Sequence, residues 1–223
     1  TELEPVFNVN SYLKYLAIEI LSGHWDAYSF LSNNFYLYHN QQTDKFEFIP
    51  YDTDNTYGID WFGIDWGVRN IYDWTQGGQQ RPLTERLLDN QVYRDRFSFF
   101  IQEVLNEYFD PAIIFPYIED IKTMITTSAE NDLYRTYDYG WDIQDFHDSY
   151  EMALDAGHVT YGLKPYITAR YNSANSQVTV NPTDPVISLV QFSHLFVNRD
   201  FEAFIYAEDD NGISEVTMSY IIN

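Results

Sequence analysis

Two short aromatic runs, residues 35–39 (Phe-Tyr-Leu-Tyr-His) and 45–51 (Lys-Phe-Glu-Phe-Ile-Pro-Tyr), constrain this chain more than any other feature. Both are rich in residues that favour extended backbone, and the polar Gln41-Gln42-Thr43-Asp44 between them predicts a β-hairpin. In an antiparallel pair the outgoing strand begins where the returning strand finishes. The hairpin therefore brings Asn34 and Asp52 to one edge, although eighteen residues of sequence separate them. Asp52 opens an Asp52-Thr53-Asp54 run closed by Gly58, while His24-Trp25-Asp26 and Asn33-Asn34 lie just ahead of the first strand.

An isolated acid, an amide and a downstream acid pair, in that order, is how a phosphoryl-transfer site supplies a base for a hydroxyl and ligands for divalent metal ions. Asp26 suits the base, since it follows a helix in a loop where His24 and Trp25 restrict it. Asn34 and Asp52 suit the metal, with Asp54 placed to reach it or to orient the other ligands. A carboxylate with a neutral amide matches Mg2+, which keeps several positions for water and phosphate. Blander readings of the same residues stay open. Asp52-Thr53-Asp54-Asn55 also reads as a solvated turn, or as a calcium loop whose Gly falls one place late for the EF-hand spacing and whose twelfth position lacks Glu. Asp26 alone reads equally as a helix-end cap, and His24 as a structural partner of its loop. Trp61, Trp66 and Trp74 suggest either a carbohydrate-stacking platform or core anchors, and anchors weigh more because large aromatics bury their area.

With 223 residues and 45% hydrophobic content, the chain can build a substantial core. Its 34 acids against 12 Lys and Arg give a net charge of −22, which argues against nucleic acid and favours divalent cations and basic partners. The absence of cysteine excludes disulfides and thiolate metal sites and leaves the redox compartment open. No signal peptide is visible, and no apolar run of about 18 residues predicts membrane insertion. The first residue, Thr1, suggests a processed or excised segment, and abundant acids, Tyr and Asn with few Lys suit a bacterial surface or secreted protein.

Helical signals surround the hairpin. Residues 11–22 predict a helix capped by Ser11 and ended by Gly23, with Leu13, Leu16, Ala17, Ile20 and Leu21 on one face. Residues 23–34 read as loop, and 59–80 as a long irregular segment over the surface near the site. Helices are predicted from Pro82, through 93–108, from Asp110-Pro111 to about Ser128, and over 163–176. The composition changes at Val178. Runs at 186–190, 201–207 and 216–222, with an Asp209-Asp210-Asn211-Gly212 turn, read as the first strands of an immunoglobulin-like β-sandwich over 184–223, too few to complete one.

Several motifs together resemble the CotH family of spore-coat and secreted kinase-like proteins. They are Asn33 to Tyr38, then Phe48-Ile49-Pro50-Tyr51-Asp52-Thr53-Asp54 with Tyr57-Gly58, then Arg81-Pro82-Leu83 to Leu88, Asn90, Tyr93 to Phe97, and Tyr166-Ile167 to Arg170. The resemblance covers roughly residues 5–178. It implies an α+β fold: a mainly helical, kinase-like C-terminal lobe over 1–180 with the hairpin at its site, followed by the partial immunoglobulin-like module. It implies transfer of the ATP γ-phosphoryl to protein hydroxyls with Mg2+ or another divalent cation. Asp26 is then the catalytic aspartate, Asn34 the metal-binding asparagine with Asn33 as substitute, and Asp52 the magnesium aspartate with Asp54 beside it. His24-Trp25-Asp26 resembles the kinase His-Arg-Asp, with Trp for Arg. No Gly-rich loop or nucleotide-clamping Lys precedes Ser11, so the nucleotide-binding lobe is expected upstream in a longer protein and the segment alone is expected to be inactive. The location implied is extracellular or at the cell surface. A reading from another class is a catalytically silent surface scaffold that binds calcium or polysaccharide.

Overall fold

A computed structural model describes residues 2–192, 203–209 and 213–217, and the protein belongs to the α+β class. The helix α1 (Val9–Ser22) starts two residues earlier than its periodicity suggests. Its cap is Asn8, whose side chain accepts a hydrogen bond from the Ser11 backbone, so Ser11 lies inside the helix. Tyr12, Leu13, Leu16, Ala17 and Ile20 are fully buried, and Asn10 and Glu19 are buried as well. The helix is enclosed on most sides because α4, α7 and the hairpin all pack on it.

The expected loop after α1 contains one helical turn, α2 (Tyr28–Leu31). The strands β1 (Phe35–Asn40) and β2 (Lys45–Pro50) then pair antiparallel, with Phe35 opposite Pro50 and Asn40 opposite Lys45. One face of this hairpin drives Phe48 into the core, where it stacks on Phe35 and Tyr15 and meets Tyr12 edge-on. On the other, Tyr36, Tyr38 and Ile49 are exposed.

Residues 59–80 carry no regular element but do not simply cross the surface. Trp66 and Trp74 are buried against each other, and Ile71 is fully buried. The Asp60 carboxylate organises this stretch by accepting from the Phe62, Gly63 and Ile64 backbone and from the Trp66 indole. An irregular segment so rich in internal donors replaces a missing ladder with one acceptor.

The remaining helices are α3 (Pro82–Asp89), α4 (Gln91–Glu107), α5 (Pro111–Glu130), α6 (Ile143–Asp148) and α7 (Leu163–Gln177). Asn90 and Asp110 cap α4 and α5. Of the isoleucines at helical spacing on α5 only Ile118 is buried, because α5 leans on α7 and α6 at the edge of the core. The short α6 begins with a reciprocal capping box between Asp142 and Asp145. Near the C-terminus β3 (Val186–Phe192) and β4 (Ala203–Glu208) pair antiparallel, with an irregularity between Ile187 and Leu189. Residues 210–212 of the turn expected at 209–212, and most of the strand expected at 216–222, lie outside the described residues. Among the described residues no helix is long and apolar enough to cross a membrane.

Candidate active site

At its C-terminus α1 stops at Gly23, which adopts a left-handed φ of 74° and returns its N–H to the last turn. A side chain there would also run into the Tyr166 ring of α7. Glycine is required on both counts. The chain then turns into His24-Trp25-Asp26, with Trp25 almost fully buried and its indole N–H bonded to the Ile59 carbonyl at 2.8 Å.

Asp26 is held by amides. Asn33 Nδ2 donates to its Oδ1 at 2.9 Å, and Asn34 Nδ2 donates both to its backbone carbonyl at 2.8 Å and to its Oδ2 at 3.1 Å. Asn55 Nδ2 makes a longer contact with Oδ2 at 3.5 Å. Asn34 therefore spends its nitrogen on Asp26, and its amide oxygen is the atom left to offer a metal. Asn33, considered above as a substitute ligand, instead orients the Asp26 carboxylate.

The hairpin delivers the second half of the site. The Tyr51 N–H bonds the Asn34 carbonyl at 2.9 Å, continuing the strand ladder by one step, so Asp52 follows directly on the residue paired with Asn34. Asn34 and Asp52 both have positive φ, 54° and 50°, as do Ser32 and Tyr57 nearby. Such conformations are uncommon outside glycine, and for a residue as bulky as Tyr57 they mark strain held by its surroundings. Tyr57 is held by the Ser22 carbonyl, which accepts its N–H at 2.7 Å, so the Asp52–Gly58 loop is fastened to the end of α1.

His24 lies between the two halves. Its Nδ1 lies 3.3 Å from the Asn55 carbonyl, and because it is 1% exposed, burial lowers its pKa despite that carbonyl and the nearby charges of Asp26, Asp54 and Asp52. A neutral imidazole donating from Nδ1 is the tautomer this geometry selects. Asp26, Asp52 and Asp54, from two loops, all lie near enough for their charges to act on this one ring.

The possible metal donors of Asn34, Asp52 and Asp54 are oxygen atoms, and Asp52 and Asp54 are exposed. Among the described residues no three His, Cys, Asp or Glu side chains form a ready-made cation cage. One or two carboxylates beside an amide fit a hard cation that draws its other ligands from water and phosphate, as Mg2+ does.

Two anchors from α7 hold this loop, and both lie in the Tyr166–Arg170 motif that carries part of the family resemblance, although the sequence alone assigns neither a role in the site. The Tyr166 hydroxyl donates to the Leu21 carbonyl at 3.4 Å. Arg170, 0% exposed, donates from Nε to the Ile20 carbonyl at 3.1 Å and from Nη1 to the Arg69 carbonyl at 2.6 Å, and it lies over the Trp74 ring. Arg170 thus joins α7, the end of α1 and the Trp-rich segment, and burial lowers its pKa from the ordinary value. Arg170→Ala is expected to lower unfolding stability by about 3 kcal/mol, since the loss of two charge-assisted bonds and of buried volume outweighs relief of the cation's desolvation. Urea unfolding measures it, and a change below about 1 kcal/mol would show that the anchor contributes little.

Comparison with known proteins bears on this same arrangement. The family described as CotH kinase protein matches residues 1–157. The chain is also similar to the inner spore coat protein H of Bacillus subtilis (strain 168), with 29% identity over 122 residues, 52% of this chain. The match takes in 32% of that protein, so this chain spans about a third of the relative's length. The family match runs from α1 to beyond α6 and includes Asp26, the three amides around it, the hairpin and the Asp52–Gly58 loop, so the chain belongs to the CotH kinase protein family.

Proposed function

We propose that this chain is the kinase-like C-terminal lobe of an atypical protein kinase that acts at the spore or cell surface of a bacterium and transfers the ATP γ-phosphoryl to a protein hydroxyl. The observation that carries the reading is the amide grip on Asp26, made by Asn33 and by the same Asn34 whose carbonyl fixes the approach to Asp52. Family membership supports it, and the name of the Bacillus subtilis relative supports the location.

In this reading the substrate hydroxyl sits against the Asp26 carboxylate. Its oxygen forms a bond to the γ-phosphorus, the bond to the β,γ-bridging oxygen breaks, ADP leaves, and the hydroxyl proton passes to Asp26. Asn33 and Asn34 keep that carboxylate pointed at the acceptor, so its rotamers need not be searched during the reaction. A divalent cation held by Asn34 and Asp52, with Asp54 alongside, would neutralise the phosphate charge. An upstream lobe of the longer protein supplies the nucleotide clamp. The exposed aromatic face of the hairpin beside the site, with Tyr36 edge-on to Tyr51, suits burial beneath such a lobe. In this reading the β3–β4 pair belongs to a partial immunoglobulin-like module.

Binding tests the metal half separately from the chemistry. Calorimetry on the full-length protein is expected to show Mg2+-dependent ATP binding that weakens at least about tenfold in Asp52→Ala. ATP binding that is equally tight without Mg2+, or unchanged in that variant, would remove Asp52 from the site.

A further inference from the structure

Beside the loop that carries Asp26, the surface presents two aromatic rings in succession. Trp61 is 57% exposed and Phe62 is 42% exposed, whereas Trp66 and Trp74 of the same segment are buried. Large aromatics bury their area where the fold allows it, so an exposed adjoining pair marks a surface that meets something else.

Exposure here does not mean freedom. The backbone N–H groups of Phe62, Gly63 and Ile64 donate to the Asp60 carboxylate at 3.0, 2.7 and 3.1 Å, and the Asp60 N–H donates to the His158 carbonyl at 2.9 Å. His158 has a φ of 60°, uncommon outside glycine and kept only where the surroundings hold it, and its ring lies 5.0 Å from that of Trp61. Trp61 also meets Trp25 at 6.0 Å, and Phe62 meets Trp25 and Phe30 edge-on at 5.1 and 5.2 Å. Both rings are therefore set before any ligand arrives, and little ordering remains to oppose binding.

Position and chemistry narrow the occupant. Trp25 immediately precedes Asp26, which keeps the Trp61 ring within about 15 Å of the Asp26 backbone. An extended peptide advances about 3.3 Å per residue, so one with its hydroxyl at Asp26 reaches the two rings with a side chain a few residues away. The acids of the segment are already engaged by the protein itself. Asp60 spends both oxygens on three backbone N–H groups and the Trp66 indole, and Asp65 accepts from the Tyr161 hydroxyl and the Gly67 N–H. What Trp61 and Phe62 offer outward is ring surface, which suits an apolar side chain better than a sugar or a cation.

We propose that Trp61 and Phe62 are the acceptor-docking platform of this site, selecting a polypeptide with an aromatic or large aliphatic side chain two to four residues from the hydroxyl that receives phosphate. The role rests on the phosphoryl-transfer reading of Asp26, whereas the docking contact is measurable without turnover.

The probes are short peptides with a central Ser in a Gly and Gln background and a single Phe moved through the flanking positions. They are tested with the full-length protein, Mg2+ and ATP. At one or more positions two to four residues from Ser, Phe is expected to tighten binding about tenfold over Gln at the same place, by fluorescence anisotropy of the labelled peptide. Phosphate incorporation is expected to show the same preference as a lower KM with kcat little changed. Trp61→Ala is expected to reduce the Phe-to-Gln ratio to below about twofold, each protein serving as its own reference. A ratio below about twofold at every position in the wild-type protein overturns the proposal with no variant needed, and so does a preference that survives in Trp61→Ala. Tighter binding of a soluble glucan oligosaccharide than of any Phe peptide, lost in Trp61→Ala, overturns it in favour of a glycan platform. Failure of the underlying reading looks different: binding that depends on Phe and on Trp61, with no phosphate entering any peptide, upholds the docking contact and counts against phosphoryl transfer.

Discussion

Asp26→Asn in the full-length protein is expected to reduce phosphoryl transfer by about 10²–10⁴-fold, the usual contribution of a positioned proton acceptor. The substitution keeps the size of the side chain and removes its ability to take the hydroxyl proton. It also turns one of the acceptor atoms facing Asn33 and Asn34 into a donor, so at least one amide contact at 2.9 or 3.1 Å becomes repulsive and the side chain rotates away. Both effects act on the reacting geometry. Stability should change by only about 1 kcal/mol, because Asp26 is half-buried and its amide partners can turn to water. Phosphate incorporation into a protein acceptor, measured beside urea unfolding of the same samples, separates the two effects. Retention of a tenth or more of wild-type turnover in a folded Asp26→Asn protein would remove Asp26 from the role of base.

The parts of this site that were legible in sequence are those set by local rules. The hairpin follows from two runs of residues that favour extended backbone and a polar turn, and its register brings the segments holding Asn34 and Asp52 to one edge, with Asn34 bonded to Tyr51, the neighbour of Asp52. Gly23 is similarly legible as a helix stop. What sequence did not reveal depends on contacts between distant segments. Asn55 looks like one more turn residue until the loop folds back and places its amide near Asp26 and its carbonyl beside His24. Arg170 belongs to a motif of the family resemblance, but only packing turns it into a buried clasp on carbonyls about 100 and 150 positions away in the chain. The signal for α6 is its Asp-x-x-Asp capping pattern, since six residues are too few to show a helical period. The Trp-rich segment reads as surface loop because it lacks a period, yet Asp60 satisfies its donors well enough for Trp66 and Trp74 to enter the core.

Glu19→Gln is expected to raise stability at alkaline pH by several kcal/mol and to leave it nearly unchanged near pH 4.5. Glu19 is on α1, 1% exposed, and neither carboxyl oxygen has a hydrogen-bond partner. Burial pushes its pKa from 4.5 up to about 8, against smaller opposing effects from Ser29 and Tyr15. The folded protein therefore keeps a proton that the unfolded chain gives up. Between pH 4.5 and about 8 the unfolded state binds fewer protons, so stability falls as pH rises through that interval and levels off above it. At about 1.4 kcal/mol per pH unit, the interval sets a ceiling of roughly 5 kcal/mol, reduced by whatever water or relaxation reaches the carboxylate. Glutamine keeps the shape, carries no charge at any of these pH values and can donate to Ser29. Other titrating groups, His24 among them, are present in both proteins and cancel in the difference. Urea unfolding of the pair from pH 5 to pH 8.5 should give two lines that diverge steadily upward in pH, and parallel lines would mean that Glu19 is ionised in the folded protein. The consequence reaches the site, because α1 leads directly into His24-Trp25-Asp26 and Glu19 lies beside Ser29, three residues beyond Asp26. A charged Glu19 would draw water between α1 and α2 and loosen the segment that positions the base.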